Sequence, residues 1–191
     1  MECKWRMPLF IFLSITSVSL IIGALSTTYW VEKQLCDSKF NYHIGLFYSC
    51  LESSCSTSDS VWDDVSWSVK VKALLIVASI IGIVAVILNF LRLRWKTKVK
   101  AFITPVLMLI VGIFALSGVG VYGNLHGYIF NYDECKLLQG DVVWKKHLME
   151  GLSYGYSFII GCMGGALSIC TSLFGIYTDF VDIFGATESQ F

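Results

Sequence analysis

At 191 residues, 55% hydrophobic and only 15% charged, the chain carries more apolar surface than one soluble domain of that length can hide, so it reads as an integral membrane protein. The formal net charge is zero and there is no basic tail, which argues against nucleic acid as a partner. The seven cysteines acquire meaning only once each is assigned to one side of a membrane.

Four apolar runs are long enough to cross a hydrocarbon layer, which takes about 20 helical residues. The first covers about residues 8–29, after Lys4 and Arg6. A basic flank, an apolar stretch and "GALS" share the outline of a signal peptide, but the chain starts at Met1 and an uncleaved first span is expected. A polar segment of about residues 30–72 follows, with Glu32, Asp37, Glu52, Asp59, Asp63 and Asp64. Within it, "YHIGLFYSC" alternates Ile44, Leu46 and Tyr48 with Gly45, Phe47 and Ser49, which predicts a strand. The second run, about 73–91, ends at "RLRWKTKVK", where Arg92, Arg94, Lys96, Lys98 and Lys100 crowd together. The third, about 102–122, has Thr104 and Pro105 at its start, where a missing N–H does no harm to a helix. Another polar segment, about 123–152, carries Asp133, Glu134, Asp141 and Glu150 before the fourth run, about 153–177.

Backbone polar groups in lipid must be satisfied within their own segment, so all four runs are predicted helices. The positive-inside rule puts the basic flank and the basic connection in the cytosol, which leaves both long polar segments outside the cell and both termini cytoplasmic, in a multi-pass plasma-membrane protein. Trp5, Tyr29, Trp30, Trp95, Tyr154 and Tyr177 fall near the expected interfaces, where amphipathic rings prefer to sit. The apolar interiors lack Asp, Glu, Lys, Arg and His, which argues against a proton relay, an ion path or a transporter. Ser19, Gly23 and Thr27, then Ala78 and Gly82, then Gly161 and Gly165 recur at four-residue spacing, which lets helix backbones approach closely. Packing within the bundle is the expected use of these rows, with a partner's helix as the alternative.

With the first loop outside, Cys50 and Cys55 lie in an oxidising compartment, and a disulfide stapling a short hairpin is the default expectation. Zinc is a poor rival, because a C-x4-C pair without nearby histidine or further cysteine is not zinc spacing, and no C-x-x-C marks a redox site. Cys162 and Cys170 read as small apolar residues of the fourth helix, and Cys3 as a candidate for palmitoylation. His43, His126 and His147 are scattered and read as solvated loop residues; "WDD" at Asp63 and Asp64 reads as a solvated face. With no H-E-x-x-H helix and the histidines without partners at ligand spacing, no catalytic constellation, metal site or cofactor is expected. The basic run from Arg92 to Lys100 can attract anionic lipid, though membrane orientation alone explains it. The C-terminal Ser189, Gln190 and Phe191 fit the S/T-x-apolar form that PDZ domains capture.

Trp30 just after the first run, then Gly45, Leu46, Phe47, Cys50 and Cys55, resembles the W…GLW…C…C pattern of the claudin superfamily. The spacing in "GLFYSCLESSC" is most similar to the branch that holds the epithelial membrane proteins, peripheral myelin protein and the lens fibre intrinsic membrane protein. The resemblance extends to "VKALLIVASIIGIVAVI", "LIVGIFALSGVGVYGN" and "SYGYSFIIGCMGGALS", and so covers nearly the whole chain. It implies one claudin-like domain over residues 1–191, a left-handed four-helix bundle capped by a small extracellular antiparallel sheet, mostly from the first loop with one strand from the second. Two departures stand out. Phe47 replaces the usual tryptophan while keeping an aromatic anchor, and no N-x-S/T sequon is present although Asn41, Asn124 and Asn131 lie in the outer loops. Cys36 and Cys135 fall outside the family pattern, and one strand from each loop in a common sheet would bring them together as a second disulfide, worth about 2–4 kcal/mol.

These readings imply a non-enzymatic protein that mediates or supports cell–cell contact through its stapled outer loops, with Phe40, Tyr42, Tyr128, Ile129 and Phe130 as contact candidates. The alternative is an auxiliary subunit of an ion channel or receptor, binding through its helices and outer loops, as the superfamily's calcium-channel gamma and glutamate-receptor regulatory relatives do. Partners on either reading are other membrane proteins, the bilayer and a PDZ scaffold.

Overall fold

The computed structural model describes residues 5–34, 41–51, 54–57, 66–94, 102–130 and 153–188. Four helices carry the architecture: α1 (Arg6–Ser26), α2 (Ser66–Arg94), α3 (Ile103–Phe130) and α4 (Tyr156–Glu188). Five short strands accompany them, β1 (Val31–Gln34), β2 (Asn41–Ile44), β3 (Tyr48–Leu51), β4 (Ser54–Thr57) and β5 (Ser153–Tyr154). Segments Arg6–Ser26, Ser68–Arg92, Ile103–Asn124 and Tyr156–Val181 are each long and apolar enough to cross a membrane.

The helices outrun their apolar runs because intrahelical bonding continues into the flanking polar residues, which hydropathy does not register. The first is the exception. Thr27 turns to extended backbone (φ −90°, ψ 153°), and its N–H and Oγ1 both close on the Gly23 carbonyl, at 3.2 and 2.9 Å, ending α1 at Ser26.

Contacts fix the helix directions. Along α1 and α4 the pairs run Phe10 with Gly175, Ser17 with Ser168, Ile21 with Gly164, Ala24 with Gly161 and Thr27 with Ser157, so the two are antiparallel. Gly82 meets Val18 and Asn89 bonds Ser14 across the α1–α2 seam, while Gly118 meets Leu74 and Leu75 between α2 and α3. A methyl group on Gly82 would sit 2.7 Å from Val18, one on Gly165 2.8 Å from Leu116, and one on Gly161 3.2 Å from Val119. Ala78 is fully buried. Small residues at these seams permit the van der Waals contact that holds helices together where lipid is as apolar as leucine.

The row expected on α1 needs correction. Ser19 is exposed, and nothing lies within 4 Å of a Cβ built on Gly23, so both are on the outer face. The inward face is instead Phe10, Ser14, Ser17, Ile21 and Ala24. Four-residue spacing marks a stripe on a helix without saying which way that stripe turns. Thr27, past the end of the helix, does reach α4, where its Oγ1 donates to Ser157 Oγ at 2.6 Å.

The strands form one antiparallel sheet in the order β4-β3-β2-β1-β5. Register pairs Val31 with Ile44 and with Tyr154, and Cys50 with Cys55. The single strand expected through "YHIGLFYSC" is broken. Gly45, Leu46 and Phe47 form the turn between β2 and β3, closed by the Gly45 N–H donating to the Tyr48 carbonyl at 2.8 Å. Alternation misreads this stretch because Leu46 leaves the sheet to enter the bundle core, where it is 3% exposed.

Candidate interaction site at the junction of sheet and bundle

Where α1 ends, the chain turns a fully buried tryptophan back into the bundle. Trp30 is 0% exposed, and its Nε1–H donates to the Ala24 carbonyl at 2.7 Å. The ring meets Tyr122 of α3 edge-on at 4.9 Å and Phe158 of α4 at 6.3 Å, and lies over Gly161. Trp30, expected near a membrane interface, thus packs its ring into the bundle. An indole with its N–H satisfied by a carbonyl loses the polar handle that would hold it at the headgroups.

Backbone contacts seat the sheet on this anchor. A methyl group on Gly45 would lie 2.6 Å from Thr28 Cα and 2.9 Å from the Thr27 carbonyl oxygen, so the turn before β3 fits only as glycine. Leu46 joins the core cluster with Trp30, Val71, Val119 and Tyr122, and Phe47 packs at its edge with the Lys72 ammonium 5.4 Å from its ring centre. Cys50 and Cys55, directly opposite on β3 and β4, are joined by a disulfide. On the other side, Gly155 approaches the Tyr29 carbonyl so closely that a Cβ would sit 2.0 Å from its oxygen. Gly155 N–H donates to Trp30 O at 3.0 Å, and Ser157 N–H to Tyr29 O at 3.1 Å.

Trp30, Gly45, Leu46, Phe47, Cys50 and Cys55 are thus gathered at one junction, which makes their order in the sequence a structural unit. A family model described as the PMP-22/EMP/MP20/Claudin family matches residues 4–176. The chain belongs to that family. A comparison with curated protein sequences finds no match. Family membership and the four apolar helices make this a tetraspan, multi-pass membrane protein.

Around this claudin-family junction stands an aromatic collar. Tyr29 stacks on Tyr156 at 4.7 Å and lies 4.0 Å from His43; Tyr154 stacks on Phe158 at 4.3 Å while its hydroxyl donates to Gly123 O at 3.0 Å. His43 was expected as a solvated loop residue. It is instead half-buried in β2, with Nδ1 buried and without a hydrogen-bond partner among the described residues, because the strand lays its ring on Tyr29. Tyr48, Tyr154 and Tyr156 remain 52%, 41% and 46% exposed and present aromatic surface around the sheet. Sequence reasoning missed the role of Gly155, for which the only signal was a glycine between two tyrosines in "SYGYS".

At the opposite end of the bundle the structure adds a feature the sequence reading did not contain. Arg92 of α2 forms an ion pair with Asp179 of α4, its Nη1 also lying 3.3 Å from Oδ2, and Asp179 is 2% exposed. Both residues lie inside segments apolar enough to span, so the spans are not free of charge. The apolar runs are expected to stop at 91 and 177; the helices continue, and Arg92 and Asp179, just past those ends, meet on the same level. Arg92 accordingly spends its charge on a carboxylate, not only on orientation or lipid.

Among the described residues no group of three or more His, Cys, Asp or Glu could hold a metal. The free thiols of Cys162 and Cys170 are half-buried and exposed, respectively, on α4. Cys3, Cys36, Cys135, Ser189, Gln190 and Phe191 lie outside the described residues, as do the side chains of Phe40, Tyr42, Tyr128, Ile129 and Phe130.

Proposed function

We propose that this claudin-family protein is a non-enzymatic plasma-membrane protein that mediates or supports cell–cell contact, with both long loops outside and both termini in the cytoplasm. The observation that carries the reading is the rigid seating of the sheet. One buried indole and two glycine contacts to backbone fix a small β surface to the bundle, a disulfide joins two of its strands, and Tyr48, Tyr154 and Tyr156 are exposed around it. A preordered aromatic surface loses little entropy when it meets a second copy or a facing membrane protein. Phe40, Tyr42, Tyr128, Ile129 and Phe130 extend that contact surface, and a Cys36–Cys135 disulfide ties the second loop to the first. The Ser189–Gln190–Phe191 end engages a PDZ scaffold.

The test is expression as the sole exogenous junction protein in cells that lack contacts of their own. Enrichment at borders between two expressing cells, lost on combining Tyr48→Ser with Tyr154→Ser, is the expected result; uniform surface distribution of the native chain refutes it. Tags accessible without permeabilisation near Cys50, and inaccessible at either terminus, check the topology.

One observation favours the auxiliary-subunit reading. Ser19 and Gly23 on α1 and Gly120 on α3 face outward, with open space beside both glycines. A partner's helix can approach such faces closely. Co-purification at a fixed ratio with a large channel or receptor, detected by crosslinking in native membrane, would decide for that role.

A further inference from the structure

The half of the bundle remote from the sheet is polar inside. Ser14 on α1, Asn89 on α2, Thr104 on α3 and Ser172 on α4 are 0%, 0%, 2% and 0% exposed. Contacts bring them to neighbouring levels. Asn89 Nδ2 donates to Ser14 Oγ at 3.3 Å, and Arg92, one turn beyond Asn89, pairs with Asp179 on α4. Thr104 adjoins Pro105, whose ring and that of Phe10 both pack at Gly175, a turn from Ser172 on one side and from Asp179 on the other.

Among the described residues, three oxygens in this layer have no hydrogen-bond partner: Asn89 Oδ1, Thr104 Oγ1 and Ser172 Oγ. An unpaired buried polar atom forfeits its hydration without recompense, so three at adjacent levels of one small bundle call for a ligand. Its chemistry is constrained. An anion would be repelled by the amide oxygen, and a cation would need a carboxylate, but Asp179 is already engaged by Arg92. Water both donates to Asn89 Oδ1 and pairs with either hydroxyl in either sense.

We propose that this layer is a binding site for a small cluster of water molecules that bridges α2, α3 and α4 through Asn89, Thr104 and Ser172 and reaches α1 through Ser14. The Arg92–Asp179 pair closes it on one side, and the apolar cluster of Val18, Ala85 and Met108 closes it on the other. Bridged polar groups then hold the helices together in a medium that supplies no hydrophobic drive between them.

X-ray radiolysis of the full-length protein in nanodiscs tests this, because radicals born from a bound water oxidise its immediate neighbours even where bulk solvent is excluded. Met108, 0% exposed, is the reporter. Oxidation of Met108 is expected in the native chain and lost in the Thr104→Val/Ser172→Ala double variant, the helical content being checked by circular dichroism. An unoxidised Met108 in the native chain, or equal oxidation in the variant, overturns the proposal. A second readout has an opposite sign for a dry layer. Removing a water-bonded hydroxyl lowers the melting temperature, whereas removing an unpaired one leaves it unchanged or raises it. Thr104→Val is expected to melt lower, and an unchanged or higher value sinks the idea.

Discussion

Replacing Trp30 tests whether one indole anchors the first loop to the bundle. The ring is fully buried, donates one hydrogen bond of 2.7 Å and makes edge contacts with Tyr122 and Phe158. Truncating a buried tryptophan to alanine costs about 3–5 kcal/mol, from lost contact and the cavity left behind. At about 2–4 °C per kcal/mol for a chain of this size, Trp30→Ala is expected to melt roughly 10 °C lower. Trp30→Phe separates the contributions. It keeps most of the ring while losing the bond to the Ala24 carbonyl. The hydrogen bond is worth about 1 kcal/mol, which puts the phenylalanine variant only about 3–5 °C below the native chain once its smaller ring is included. The assay is thermal unfolding in detergent by circular dichroism, paired with limited proteolysis to register a sheet that detaches before the helices melt. If Trp30→Ala leaves both the midpoint and the protection of the first loop unchanged, the anchoring argument is refuted.

Four other outcomes follow from the same packing. Asp179→Asn removes the ion pair with Arg92 in a spanning segment and is expected to cost about 3 kcal/mol, with Arg92→Met/Asp179→Leu recovering much of the loss; a single variant as stable as the native chain would show that the pair contributes nothing. Gly155→Ala cannot avoid the Tyr29 carbonyl and is expected to abolish surface delivery in a cell-surface biotinylation assay, a result that normal delivery contradicts. Gly23→Ala, by contrast, meets open space and trades a flexible residue for a good helix former, so a gain of about 0.5–1 kcal/mol in the same melting assay is expected. Cys50→Ser/Cys55→Ser removes a short cross-link worth about 2 kcal/mol, visible as a lower midpoint that the native chain should reproduce under reducing conditions.

Hydropathy alone was enough to read four spanning helices, because the bilayer demands about 20 apolar residues per crossing whatever the fold. The cysteine pair and the tryptophan motif were equally plain, since Cys50 and Cys55 need only a hairpin between them to meet. Direction was the part that stayed hidden. Ser19 and Gly23 have the spacing of a packing row yet face outward, and Leu46 has the spacing of a strand residue yet enters the core. In both cases periodicity defines a stripe and only neighbouring elements choose its orientation. The Arg92–Asp179 pair was illegible for a related reason. Its partners are 87 residues apart, each just past an apolar run, and they become a pair only when antiparallel packing levels the ends of α2 and α4. Gly155 likewise looks like any glycine until the tertiary fold brings the Tyr29 carbonyl against it. Composition and local spacing are properties of the chain's own neighbourhood, whereas facing, level and close approach belong to elements far apart in sequence, and only their packing decides them.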